Sequence, residues 1–251
     1  MQTKQLEQLL GQLLRPELIS DYCPNGLQID SECAVNKIVT GVSATQALID
    51  KAIELNADAL LVHHGYFWKS EPAAIVGMKY KRINKLIKSD LSLFAYHLPL
   101  DVHPELGNNA QLAKLLDLQV IEPVEAVKPT GILMQAQTKT PKTLAEFADL
   151  VENKLSRKPL AVSGGDFLIN KVAICTGGGQ SFIEQALNAG VDLFITGEVS
   201  EQTVHVATEM GIHFIAAGHH ATERYGIKAL GEYLATNTDI QVEFVDIDNP
   251  A

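Results

Sequence analysis

A strand–helix–strand pattern occurs twice in the chain, and this repeat constrains the fold more than any other feature. Two segments align without a gap: NKIVTGVSATQALIDKAIELNADALLVHHG (36–65) and NKVAICTGGGQSFIEQALNAGVDLFITGEV (170–199). Apolar positions match throughout, and the identical pairs are Asn36/Asn170, Lys37/Lys171, Gln46/Gln180, Ile49/Ile183, Ala52/Ala186 and Asp58/Asp192. Any two βαβ units share part of this pattern, so both an internal duplication and a shared architecture fit it.

Apolar runs rich in Val and Ile predict buried strands, with helical patterns between them. The strand candidates are KIVTGVS from 37, DALLVHH from 58, LSLFAYH from 91, KVAICTG from 171, VDLFITG from 191 and IHFIAAGHH from 212. Alternation of this kind is typical of an α/β fold with a largely parallel sheet and flanking helices. We therefore predict one α/β unit of two pseudo-repeated lobes, 1–122 and 167–251, with a cleft between them. The connecting element 123–166 should contain a strand, a helix and a strand.

Two adjacent histidines, His63 and His64, end one apolar run in LLVHHGYFWK (60–69). Neighbouring residues of a strand point to opposite faces, so a packed strand rarely accommodates both rings. At the end of a strand, both rings can turn toward one point. Taken alone, the pair fits a polar strand exit as well as a metal site.

A histidine followed four residues later by an acid comes after a later strand in each half. His97 and Asp101 lie in AYHLPLD, and His219 and Glu223 lie in AGHHATE, ahead of a helix predicted over 221–234. Open α/β sheets bind ligands at the carboxyl ends of their strands. We expect these residues to meet the histidine pair in one shared cleft, although a structural role for any single histidine fits too.

Imidazole and carboxylate groups are ligands of zinc, iron and manganese, and carboxylates bridge pairs of metal ions about 3.5–4 Å apart in hydrolytic sites. These residue types thus predict a site for divalent metal ions. Glu198, which aligns with His64 in the repeat, is a candidate general base, and a solvated carboxylate is the alternative. The glycines of CTGGGQS (175–181) match no phosphate-binding motif and indicate a tight turn.

Composition narrows the classes of partner. A net charge of −10 and a pI near 5.2 oppose the electrostatic attraction behind nucleic-acid binding. The basic stretch KYKRINKLIK (79–88) is read as a solvated helix face, with Ile83, Leu86 and Ile87 on its apolar side. No apolar run has the length of a membrane span. The start of the chain has the pattern of an amphipathic helix, and three widely spaced cysteines fit a reducing compartment, so we expect a cytoplasmic protein.

Three aromatic residues, Tyr66, Phe67 and Trp68, follow the histidine pair directly. Such side chains stack on a purine, fill a core or form a subunit interface. The sequence leaves all three roles open.

Four motifs in combination resemble the toroidal dinuclear-metal protein family known as GTP cyclohydrolase 1 type 2 homologues. They are LLVHHGYFWK, YHLPLDVHPELGNN, TGEVSEQTVHVA and GHHATERYG, accompanied by NGLQI at 25–29. The resemblance implies an α/β unit assembled as a homohexameric ring. It also implies metal ligation by His63, His64, Asp101, His219 and Glu223, with His97 as a further candidate. The short connection over 123–166 leaves no room for the inserted domain that some members carry.

The leading functional hypothesis is a metal-dependent hydrolase that acts on a small, nucleotide-like molecule. The alternative is a non-catalytic protein in which the metals support binding or assembly. An open coordination position distinguishes the two, because a catalytic site keeps one for water or substrate.

Overall fold

The computed structural model describes all residues from 1 to 251 as a mixed α/β fold with two sheets. The strands are β1 (Gly26–Ile29), β2 (Lys37–Ser43), β3 (Ala59–His64), β4 (Ser92–Ala95), β5 (Gln119–Pro123), β6 (Met134–Lys142), β7 (Leu160–Val162), β8 (Ile169–Cys175), β9 (Leu193–Thr196), β10 (His213–Ala216) and β11 (Gln241–Phe244). The helices are α1 (Thr3–Leu14), α2 (Gln46–Glu54), α3 (Gly77–Lys88), α4 (Leu98–Asp101), α5 (Asn108–Leu115), α6 (Leu144–Leu155), α7 (Ile183–Asn188), α8 (Glu201–Met210) and α9 (His219–Asn237). None of the helices combines the length and the apolar character that crossing a bilayer requires.

The first compact unit comprises residues 1–100 and 227–248 and contains a five-stranded sheet. Its strand order is β1-β4-β3-β2-β11, in which only the edge strand β1 is antiparallel to its neighbour. Apolar side chains from β2, β3 and β4 pack against α2 and α3 in one buried cluster. The prediction of a largely parallel sheet is confirmed for this unit.

The second unit comprises residues 101–226 and 249–251 and contains a six-stranded sheet in the order β5-β6-β8-β9-β10-β7. Only β8, β9 and β10 run parallel, because β5, β6 and β7 pair with antiparallel neighbours. The predicted strand, helix and strand of the connecting segment are present as β6, α6 and β7. They extend the second sheet rather than merely linking two lobes, while the segment boundaries at 122 and 166 stay a prediction.

The internal repeat has a structural counterpart at the start of the aligned strands. Asp58 Oδ2 accepts hydrogen bonds from the backbone N–H groups of Asn36 and Lys37, at 2.8 and 2.9 Å. Asp192 Oδ2 accepts the same two bonds from Asn170 and Lys171, each at 2.8 Å. Three of the identical pairs therefore perform one task, which is to join the start of one parallel strand to the start of the next.

The helix predictions hold for most positions. The first helix buries Leu6, Leu10 and Leu14. On α3, Ile83 and Leu86 are buried as expected, but Ile87 is 61% exposed, so its assignment to the apolar side was wrong. Adjacent helical residues differ by about 100° around the axis, and the buried stripe of α3 is too narrow to include both 86 and 87.

We expect Asp58→Ala and Asp192→Ala each to lower the free energy of unfolding by about 1–3 kcal/mol, because each leaves two backbone donors without their charged acceptor. Urea denaturation followed by circular dichroism measures the change. Asp166→Ala, at an exposed loop position, is the control and should stay within about 0.5 kcal/mol of the parent. Equal stability of all three variants would contradict the strand-joining role.

Candidate metal centre

Three histidines meet at the carboxyl edge of the first sheet. His63 and His64 end β3, and His97 follows the neighbouring strand β4. The ring centroids of His63 and His64 are 4.5 Å apart, and that of His97 lies 5.1 and 5.8 Å from them. One ring nitrogen from each lies within 4.8 Å of the others. Such spacing suits a divalent cation, and two of the rings, His63 and His97, are almost wholly buried.

The Nδ1 atom of each of these histidines contacts a polar protein group. His63 Nδ1 donates to the Tyr96 carbonyl oxygen at 3.0 Å, and His64 Nδ1 lies 3.0 Å from Ser43 Oγ. His97 Nδ1 donates to Asp21 Oδ1 at 3.0 Å. Metal-ligating histidines engage their second nitrogen in this way, which fixes the ring and its tautomer. For His63 and His97 the Nδ1 atom is thus the hydrogen-bond donor, and Nε2 is the nitrogen that could serve as a metal ligand.

Asp21 is the hub that fixes His97. Its carboxylate also accepts from Asn25 Nδ2 at 2.9 Å and from the Leu98 N–H at 3.0 Å. Burial opposes ionisation of Asp21, but the hydrogen bonds from His97 and Asn25 hold its pKa well below the usual range. A negatively charged Asp21 could orient the His97 imidazole if that ring binds a metal ion. Although Cys23 lies close to Asp21 and His97, these bonds already engage both carboxylate oxygens.

A second group of candidate metal ligands lies in the second unit, at the carboxyl ends of β9 and β10. The helix α9 begins at His219 itself, earlier than the sequence pattern indicated, so His219 and Glu223 share one helical face. His219 Nε2 lies 3.3 Å from Glu223 Oε2, and its Nδ1 donates to Glu198 Oε1 at 2.7 Å. Glu198 follows β9 and also accepts from Gln180 Nε2 at 3.2 Å. This contact fits a positioning role, and the general-base role considered from the sequence stays a prediction.

The two carboxylates dominate the electrostatics of His219. Burial of the imidazole lowers its pKa, but the hydrogen bonds and charges of Glu223 and Glu198 outweigh burial and raise the pKa to about 9. Glu223 is only 3% exposed. The surroundings thus favour positive charge at this point, which a divalent cation supplies as a proton does.

Asp101, at the end of α4, is the other buried acid of the second unit. Its Oδ1 accepts from Asn108 Nδ2 at 2.8 Å, and Asn108 Oδ1 accepts from the Gly226 N–H at 3.0 Å. The pKa of the Cys175 thiol is raised by burial and by the charges of Asp101 and Glu223. Both acids thus act on one buried region, where a cation would compensate their charge.

Gly177 makes room for these side chains. Its φ of +65° is in the left-handed region, and a Cβ atom built there would overlap the Glu223 carboxylate and lie 3.1 Å from His219 Nε2. The Gly177 N–H donates to Thr222 Oγ1 at 3.0 Å, which ties the turn to α9. The prediction of a tight turn after β8 is confirmed, and the turn also forms one wall of the acidic group.

Strand pairing shows that the histidine-and-acid motif begins one residue later in the second half than in the first. Val62 pairs with Ala95 in the first sheet, and the repeat-equivalent Thr196 pairs with Ala216 in the second. His97 therefore corresponds to Gly218 rather than to His219, because the second half has one more residue before its histidine. His97 and His219 therefore lie at neighbouring rather than identical positions of the two aligned halves.

Several residues that support the site escaped the sequence reasoning, namely Asp21, Asn25, Ser43, Gln28 and Asn108. Asn25 Oδ1 accepts from the His97 N–H at 2.7 Å, and Gln28 Oε1 accepts from the Tyr66 N–H at 2.7 Å. The motif NGLQI was the available signal, since its two amide side chains hold the segments that follow β3 and β4. Single polar residues such as Asp21 and Ser43 carry no comparable pattern.

The fold and the donor set define a mixed α/β protein with clustered histidines and acids suited to divalent metal ions. A family model described as Duf34/NIF3 (NGG1p interacting factor 3) matches residues 1–250. The chain therefore belongs to the Duf34/NIF3 family, which confirms the resemblance drawn from the motifs.

Relatives and solved structures agree with this membership over the full chain. A protein named GTP cyclohydrolase 1 type 2 homolog from Haemophilus influenzae is 58% identical, and one from Escherichia coli is 55% identical, with 100% of both chains covered in each case. The structure of protein ybgI, described as of unknown function, has a TM-score of 0.96 at 54% identity, with complete coverage of both chains. A crystal structure of a Thermus thermophilus protein has a TM-score of 0.88 at 32% identity, again with complete coverage.

We expect Gly177→Ala to reduce bound metal at least tenfold, because the added methyl group must displace the Glu223 carboxylate. Elemental analysis after dialysis measures the metal content, and circular dichroism checks the fold. Gly178→Ala is the matched control, since a Cβ at this adjacent exposed glycine meets nothing closer than 3.7 Å. Full metal content in Gly177→Ala would show that the Glu223 carboxylate does not need this space.

Proposed function

We propose that the protein is a metal-dependent hydrolase of a small, nucleotide-like molecule and holds two divalent ions per chain, of zinc, iron or manganese. The observation that carries the proposal is the common arrangement of His63, His64 and His97, each with its Nδ1 atom against a protein group. One nitrogen of each ring lies within 4.8 Å of those of the other two, a spacing that allows all three rings to bind one ion. The proposed ligands are His63, His64, His97, Asp101, His219 and Glu223.

The acids balance the charge that two ions would bring. Histidines alone would leave two dications at short separation in a region of low dielectric, where their repulsion is severe. Asp101 and Glu223 are 5% and 3% exposed, and buried carboxylates typically either pair with charged groups, as Glu223 does with His219, or coordinate metals. Their burial in the described geometry supports a role as metal ligands.

The reaction class follows from the chemistry of such ions. Two bound divalent ions lower the pKa of water toward neutrality and polarise the electrophilic centre of a substrate. The side chains supply the rest: the Nδ1 contacts fix the imidazole rings, and Glu198 holds His219 in place. The relatives' name, GTP cyclohydrolase 1 type 2 homolog, supports a nucleotide-like substrate within this proposal.

A homo-oligomer, with a hexameric ring as the leading arrangement, and a cytoplasmic location belong to the same proposal. Tyr66 no longer supports the oligomer, because it is 5% exposed and its hydroxyl donates to the Ala44 carbonyl at 2.6 Å. Val76 and Met78 give better support, since both apolar side chains are strongly exposed, at 67% and 64%. Light scattering should report a mass well above that of one 27.3 kDa chain.

We expect Asp101→Asn and Glu223→Gln each to lose at least one of two metal ions per chain while the fold is kept, because the amide preserves shape and removes charge. Elemental analysis with circular dichroism measures both properties. Asp149→Asn, on α6 and away from the acidic group, is the control and should keep both ions. Two ions per chain in both site variants would mean that these acids are not ligands.

The hydrolase assignment is tested on the same proteins with a panel of nucleotides and phosphoesters. Product should form with metal-loaded protein and not with chelator-treated protein, and Asp101→Asn and Glu223→Gln should be at least a hundredfold slower than Asp149→Asn. Absence of turnover across the panel, together with loss of the oligomer on chelation, would favour the metal-dependent assembly role instead.

We expect Glu198→Ala to weaken metal binding about 10–100-fold, because removal of a carboxylate that orients a ligating histidine has this effect. Glu198→Gln should recover most of the affinity, since its amide oxygen can still accept from His219 Nδ1. Competition with a chromophoric chelator gives the affinities. If metal affinity were unchanged in Glu198→Ala while the fall in rate at low pH disappeared, Glu198 would be assigned as the general base.

A further inference from the structure

Two aromatic side chains lie directly beside the three histidines of the first unit. The Trp68 ring is 4.9 Å from that of His97 and 6.0 Å from that of His64, measured between centroids. The Tyr22 ring is 5.1 Å from that of His97 and 5.8 Å from that of Trp68. We call Tyr22 and Trp68 the aromatic pair. It places two π-faces at the border of the candidate metal centre.

The backbone holds the aromatic pair in place. Phe67 has a φ of +65°, which turns the chain sharply after Tyr66 and brings Trp68 back toward His97. The Lys69 N–H donates to the Tyr22 carbonyl oxygen at 2.8 Å, and Lys69 Nζ donates to the Asp21 carbonyl oxygen at 2.5 Å. The segment bearing one aromatic ring is thus bonded to the segment bearing the other. Rings fixed before binding lose little entropy when a ligand arrives.

The aromatic run of the sequence divides into buried and exposed members. Tyr66 is buried and Phe67 packs against the core cluster, so neither is available to a ligand. Tyr22 is 52% exposed, and Trp68 is partly exposed. Exposed aromatic side chains beside candidate metal-binding histidines suit a ligand subsite, because planar aromatic ligands gain stacking energy on such rings.

We propose that the aromatic pair is the subsite for a planar heteroaromatic ring, of the nucleobase class, in the molecule on which the metal centre acts. The inference deepens the proposed function and rests on it for the nature of the site. Stacking on Tyr22 and Trp68 would fix the ring while the rest of the molecule extends toward the histidine Nε2 atoms. The pair therefore determines specificity and takes no part in bond cleavage.

Trp68 is the only tryptophan of the chain, so its fluorescence reports directly on the subsite. We expect guanosine 5′-monophosphate and adenosine 5′-monophosphate to quench the metal-loaded protein saturably, whereas ribose 5-phosphate, which lacks the ring, should not. Tyr22→Leu should weaken nucleotide binding about tenfold, in the range measured for loss of one base–aromatic stack, and Tyr22→Phe should restore it. Trp68→Leu removes the fluorescent residue, so its nucleotide affinity is measured by calorimetry, and we expect a similar loss of affinity.

Phe167→Leu is the control, because Phe167 is also a partly exposed ring stacked on a histidine, 4.1 Å from His213, and should leave binding unchanged. Equal quenching by ribose 5-phosphate, or no quenching by either nucleotide, would overturn the inference. A change of oligomeric mass in Tyr22→Leu and Trp68→Leu without a change in binding would assign the pair to a subunit contact. The binding measurement is independent of the turnover assay. If the protein turns over a substrate but does not bind the nucleotide ring, only the subsite is refuted. If it binds the ring but shows no turnover, only the hydrolase proposal is refuted.

Discussion

The hydrogen bonds to the Nδ1 atoms of His63, His64 and His97 are the interactions on which the histidine group of the first unit depends. An isolated imidazole rotates and exchanges tautomers, whereas a ring bonded to a carbonyl, a hydroxyl or a carboxylate has one orientation. The partners come from β2, from the residue after β4 and from the segment before β1. The histidine group therefore depends on the pairing of β2, β3 and β4, and on the hydrogen bonds that hold Asp21 beside His97.

In the second unit, carboxylate and amide side chains and one glycine position the candidate ligands. Glu198 holds His219, Asn108 holds Asp101, and Gly177 leaves the volume that the Glu223 carboxylate occupies. The two halves share the start of their strands, where Asp58 and Asp192 make the same backbone bonds, and differ at the strand ends that carry chemistry. The aligned pair of His64 and Glu198 illustrates the difference, since His64 is a candidate ligand and Glu198 contacts another candidate ligand, His219. A duplicated scaffold with diverged ends accounts for both observations.

Periodicity was sufficient to predict the central apolar strands, which are β2, β3, β4, β8, β9 and β10. The edge strands β1, β5 and β11 are short and partly polar, so their assignment, and with it the antiparallel half of the second sheet, depends on neighbours that are distant in the sequence. The candidate ligands were found because histidines and acids at strand ends form a recognisable pattern. Their supports were not, since Asp21 reaches His97 across a long stretch of chain. The one-residue offset between His97 and His219 shows the limit of motif comparison, because pairing fixes the register of the strand before each motif.

The central claim is that imidazole nitrogen and carboxylate oxygen atoms, without sulfur, hold the metal. X-ray absorption spectroscopy of the metal-loaded protein tests it most directly, because Cys23 lies close enough to Asp21 and His97 to offer an alternative ligand. The account predicts nitrogen and oxygen neighbours at about 2.0–2.2 Å with the outer-shell scattering of imidazole rings. A shell of sulfur at about 2.3 Å, or the absence of imidazole scattering, would contradict it.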